Sequence, residues 1–108
     1  MFIAVASLAM MAATAPSADA VGTGRKDFTK CLSAQVQPAL DAKKSTGDFQ
    51  ASIKKACATQ EAAFRAAIVA QDKGDKMSDS ASASDADDQI SEYVDKITSE
   101  YEESSRPG

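Results

Sequence analysis

The residues best placed for covalent chemistry are two cysteines, Cys31 and Cys57, in a chain of 108 residues that has no histidine. A thiol can serve as a nucleophile, a metal ligand, a redox partner or half of a disulfide. Redox pairs favour a C-x-x-C spacing in an electropositive setting, whereas these two are 26 residues apart. Two thiolates without histidine are too few for an ordinary zinc site. Without histidine, Ser-His-Asp and Cys-His nucleophilic centres are also excluded. Carboxylate chemistry is the remaining route to catalysis. Its best candidates, Asp85, Asp87 and Asp88, read as a solvated helix start with no pocket behind them. Gly22-x-Gly24 lacks the preceding strand of a phosphate-binding loop and reads as a flexible lead-in. The expectation is a protein that is not an enzyme, with no cofactor, no metal and a structural disulfide.

The elements that would carry the cysteines support that pairing. Phe28, Cys31, Leu32, Val36, Ala39 and Leu40 recur at spacings of three and four, one face of a helix. Pro38 falls inside this run, lacks a donor and clashes with the carbonyl of Ala34, which predicts a kink or break. Ser45-Thr46-Gly47-Asp48 reads as a turn and capped helix start. A second stripe follows: Phe49, Ile53, Ala56, Cys57, Gln60, Phe64, Ala67 and Ile68. It predicts one helix from about Thr46 to Lys73, stopped by Gly74 and roughly 40 Å long at 1.5 Å per residue. If the chain folds back at Ser45–Gly47, Cys31 lies 13 residues before Lys44 and Cys57 lies 11 after Thr46. The thiols then come level to within roughly 3 Å along the axis. A bond closing that loop contributes about 3.5 kcal/mol through loop-closure entropy.

Residues 74–83 alternate Ser with Asp and Ala and predict a flexible linker. A third helix is expected from Ser84, with Asp87 at the capping-box position and an apolar stripe of Ala86, Ile90, Tyr93, Val94, Ile97 and Tyr101. Glu92 and Lys96 are spaced for an i, i+4 pair. Glu100, Glu102 and Glu103 oppose the helix dipole, so the last turn is expected to fray before a tail from Ser104. The predicted fold is all-α: a disulfide-clamped antiparallel helical hairpin (21–73), the linker (74–83), and an acidic amphipathic C-terminal helix with its tail (84–108).

The first 20 residues predict a compartment. Phe2 to Ala15 is nearly unbroken in apolar and small side chains, too short for a bilayer span, and Ala18-Asp19-Ala20 has the small-x-small form of a signal-peptidase site. No Lys or Arg precedes the run. The reading is a signal peptide over 1–20, a mature chain from Val21, no transmembrane anchor and a periplasmic or secreted location. An oxidising compartment permits the disulfide, which a domain this small benefits from.

Charge is unevenly spread. Val21–Lys76 carries 10 Lys/Arg against 6 Asp/Glu, whereas Met77–Gly108 carries 2 against 9. The mature net charge of −3, without a basic-aromatic patch, argues against nucleic acid. In plan the chain is similar to the small acid-stress chaperones of enteric periplasms, which are short, exported, helical and single-disulfide. The local likeness lies around Ala56-Cys57 and Phe64; the cysteine spacing differs. Three roles follow as expectations: a non-enzymatic binding or interaction protein, an acid- or stress-responsive chaperone, and a structural subunit of an envelope assembly. The face expected to meet a protein partner is Ile90, Tyr93, Val94, Ile97 and Tyr101. Neither the partner nor an oligomeric state follows from the sequence.

Overall fold

The computed structural model describes residues 18–107, so most of the expected signal peptide lies outside the described residues. Within them the chain forms α1 (Ala18–Ala34), α2 (Val36–Asp41), α3 (Thr46–Ala56), α4 (Ala58–Gly74) and α5 (Asp79–Ser105), with no strand. The fold is all-α. α1 packs antiparallel against α4, the two being joined where Cys31 meets Cys57. α5 runs antiparallel to α3 and α4 and touches both, so it lies parallel to α1.

Pro38 acts four residues upstream of its own position. Its ring excludes the carbonyl of Ala34, and Ala34 is where α1 ends. The Gln35 N–H turns back to Leu32 O instead, and α2 restarts at Val36 with Pro38 in its first turn, where no donor is required. Lys43, with φ of 55°, closes α2 in a left-handed turn in which Lys44 N–H bonds to Ala39 O. Ser45 caps α3 as its position predicts, Oγ accepting from the Asp48 N–H at 3.1 Å.

The single helix expected over 46–73 is instead two. Cys57 leaves helical dihedrals (φ −108°, ψ 21°) between α3 and α4. Its N–H still bonds to Ile53 O, and its carbonyl still accepts from Glu61, each at 2.9 Å. The interruption is therefore local. No glycine or proline marks it, and it coincides with the cross-link. α4 includes Gly74, and the left-handed residue that ends it is Lys76 (φ 70°), with Met77 N–H bonded to Asp72 O.

The linker is also shorter than expected. Ser78 caps α5 through the Ala81 N–H, so 79–83 are helical and the connection is 75–78. Ser82 explains the difference: it is fully buried, and its Oγ bonds back to Asp79 O. It heads a stripe of Ser82, Ala86, Ile90, Val94, Ile97 and Tyr101, whose small members let α5 approach α4 closely. At the other end α5 continues to Ser105 rather than fraying, because Tyr101 anchors it. Gly24 is no flexible lead-in. It is buried in α1, where a Cβ would stand 3.0 Å from Phe64 Cα, so the glycine sets the α1–α4 spacing.

One core unites these elements: Phe28 and Leu32 from α1, Phe49 and Ile53 from α3, Phe64 and Ile68 from α4, and the α5 stripe. Phe64 sits at its centre, tilted on Phe28 (5.8 Å) and edge-on to Tyr93 (6.0 Å). Each such ring stabilises the fold by about 2–3 kcal/mol through burial.

Candidate functional site

The α5 face expected to meet a partner is covered by the protein itself. Ile90, Val94, Ile97 and Tyr101 are buried, and Tyr93 is half-buried against Phe64. Tyr101 is held most firmly. Its ring stacks on Phe49 at 4.1 Å, and its hydroxyl reaches Lys44 O at 2.6 Å and Ala39 O at 3.1 Å. Ala39 is in α2 and Lys44 in the α2–α3 turn, both inside the loop that the disulfide closes. α5 is thus a docked element of the fold, and its apolar stripe is not an open surface. Among the described residues the large apolar side chain left exposed is Met77, in the linker.

Cys31 and Cys57 are brought together as predicted, with Cα atoms 5.8 Å apart, and both are consumed in the bond. They supply no nucleophile. Asp85 is half-buried at the α4–α5 contact, Asp87 pairs with Arg65 across it, and Asp88 is exposed. No group of three or more potential metal-ligating side chains gathers among the described residues. The ion pairs found there are Glu61–Arg65, Arg65–Asp87 and Lys73–Asp79; Glu92 and Lys96 do not pair.

What α5 does leave open is a cleft along its seam with α1. Gly22, Thr29 and Ser33 of α1 line it on one side. The hollow has a volume of about 460 Å³. Leu32 and Ile97, both buried, form its floor, with Tyr93 at one side. Arg25 and Lys26 contribute from α1 and Lys96 from α5, against a single acid, Glu100. Arg25 also lies over the Phe64 ring, 5.7 Å from its centroid, a cation–π contact that fixes its stem at the cleft edge. None of the three cations has an ion-pair partner among the described residues. An apolar floor beneath unpaired cations suits an anion carried on an apolar body.

Sequence reading missed this cleft because its cations lie on the flanks of two helices distant in sequence. The signal available was the excess of Lys and Arg over Val21–Lys76, which does not say which of them meet. No protein-family model, curated protein or solved structure matches the chain.

Proposed function

We propose that this is an exported, non-enzymatic binding protein whose ligand surface is the α1–α5 cleft, and that the ligand is a small amphiphile with one anionic head. The observation that carries this reading is the juxtaposition of Arg25, Lys26 and Lys96 with the Leu32–Ile97 floor. The head would meet the cations, and the apolar part would displace water from the floor and the Tyr93 ring. Export is supported by the disulfide, which belongs to oxidising compartments. Signal cleavage after Ala20 would remove the first three residues of α1 and make Val21, a core residue, the new N-terminus.

Titration with dodecanoate, followed by amide chemical shifts, tests the ligand. The expected result is saturable shifts confined to residues of α1 and α5 that border the cleft, at least tenfold weaker binding by the Lys26→Ala/Lys96→Ala double variant, and weak binding of uncharged dodecanol. Shifts scattered over the surface, or equal binding of acid and alcohol, refute it.

The chaperone role is a second reading, favoured by one observation. α5 is fastened to α4 partly by opposite charges, Arg65–Asp87 and Lys73–Asp79. Below about pH 3 carboxylates as a class are protonated, and attractions of this kind are lost. The twelve Lys and Arg remain charged, so the chain becomes strongly positive. Release of α5 would expose its stripe to unfolded clients. Dye binding to apolar surface should then rise between pH 4 and pH 2 while most helicity is kept; no rise removes this reading.

A further inference from the structure

A second hollow lies on the other flank of α5, away from α1. Asp87, Ile90, Val94 and Asp95 line it, whereas Tyr93, Lys96, Ile97 and Glu100 line the α1–α5 cleft. At 3.6 residues per turn these two sets point in directions roughly 140° apart. Two bridges bound the hollow. At one end Arg65 of α4 pairs with Asp87. Beyond the other, Gln50 Nε2 of α3 donates to Thr98 Oγ1 of α5 at 3.4 Å. Between Asp87 and Thr98 the α5 axis advances about 16 Å. The hollow has a volume of about 490 Å³, and Ile90 and Val94, both buried, form its floor.

The charges around this floor are unequally engaged. Arg65 is held by Asp87 and Glu61. Lys54 of α3 and Asp95 of α5 border the same hollow, yet neither forms an ion pair among the described residues. They share one space and stand too far apart to neutralise each other. A lone anion would meet Lys54 but also the surplus of Glu61, Asp87 and Asp95. A lone cation would meet Asp95 and leave Lys54 uncompensated. A molecule bearing both signs answers both open charges at once.

We propose that the α3–α4–α5 hollow is a second ligand site, and that its ligand is a small zwitterion with an ammonium and a carboxylate on an apolar body, as in a free aliphatic amino acid.

The carboxylate meets Lys54, the ammonium meets Asp95, and the apolar body covers Ile90 and Val94. The two hollows flanking α5 then divide by charge. The α1–α5 cleft sets three cations against one acid and suits an anion, whereas this one sets two cations against three acids. The inference goes beyond the amphiphile reading and does not depend on it.

Titration of the isotope-labelled protein with L-leucine, followed by amide shifts, tests the site. Saturable shifts are expected at Gln50, Lys54, Ser91 and Asp95, in the millimolar range because both charges are exposed. Leucinamide, which keeps only the ammonium, and N-acetyl-leucine, which keeps only the carboxylate, should each bind about fivefold more weakly, the loss of one exposed ion pair. Lys54→Gln and Asp95→Asn should each weaken leucine by the same factor. Both side chains are exposed, so neither change threatens the fold. Shifts that stay linear to tens of millimolar leucine, equal binding of either single-charge analogue, or shifts centred on α1 overturn the assignment.

Discussion

Removing one oxygen atom from Tyr101 should measure how firmly α5 is docked. Tyr101 is fully buried, stacks on Phe49 with an interplanar angle of 6°, and donates to the α2–α3 turn. Ala39 O already accepts from Lys44 N–H at 3.0 Å, so the bond that matters is the 2.6 Å contact to Lys44 O. Tyr101→Phe keeps the stack and leaves that carbonyl without its donor. The expected cost is about 1–1.5 kcal/mol, the usual value for such a bond. In a domain of this size that lowers the melting temperature by about 5–10 °C. Tyr101→Ala removes the ring as well and should cost about 4 kcal/mol. Urea unfolding followed by far-UV circular dichroism ranks the three proteins. If Tyr101→Phe matches the wild type within about 0.3 kcal/mol, the hydroxyl is not an anchor. If the two variants coincide, the ring contributes nothing and α5 is not docked as described.

Other changes test other parts of the frame. Cys31→Ser/Cys57→Ser should lose about 3.5 kcal/mol, the loop-closure value for a 26-residue separation, read as a shift in urea midpoint that reduction of the wild type reproduces. Phe64→Ala should cost about 4 kcal/mol and Val69→Ala about 1 kcal/mol, since the first is fully buried and the second only half-buried; equal midpoints would contradict the facing of α4. Gly24→Leu should destabilise by more than about 2 kcal/mol, because its side chain would have to enter the Phe64 backbone, whereas Gly47→Ala, with open space around it, should be neutral to slightly stabilising by thermal melt.

What the sequence made legible is what local periodicity encodes. The facing of Cys31 toward Cys57 followed from two apolar stripes and a turn, and the Ser45 cap followed from residue type. What it hid depends on tertiary context. Ser82 reads as linker because a small hydroxyl residue suits solvent, yet its size is what the α4–α5 approach needs. Gly24 reads as flexible for the same reason: without a partner helix in view, a glycine gives no sign that a backbone lies 3.0 Å from its absent Cβ. The break at Cys57 carries no local signal at all. Of the candidate site, the α5 stripe was correctly placed on one face, but the sequence did not say that α1, α3 and α4 would cover it. The cleft that remains open is made by the flanks of α1 and α5, and flanking charges resemble ordinary solvated ones.

The connection between α4 and α5 is only residues 75–78, and it includes Met77, the sole methionine after residue 11. Everything that recognises α5 lies on one side of this tether: the buried face of α4 with Phe64 and Ile68, the Phe49 ring and the carbonyls of a covalently closed loop. The tether itself contributes proximity, not recognition, and so sets an effective concentration. Scission after Met77 would divide the molecule into a cross-linked receptor and an acidic helical peptide able to rebind it in trans. The same exchange between two intact copies would give a reciprocally swapped dimer, each supplying its neighbour's Tyr101.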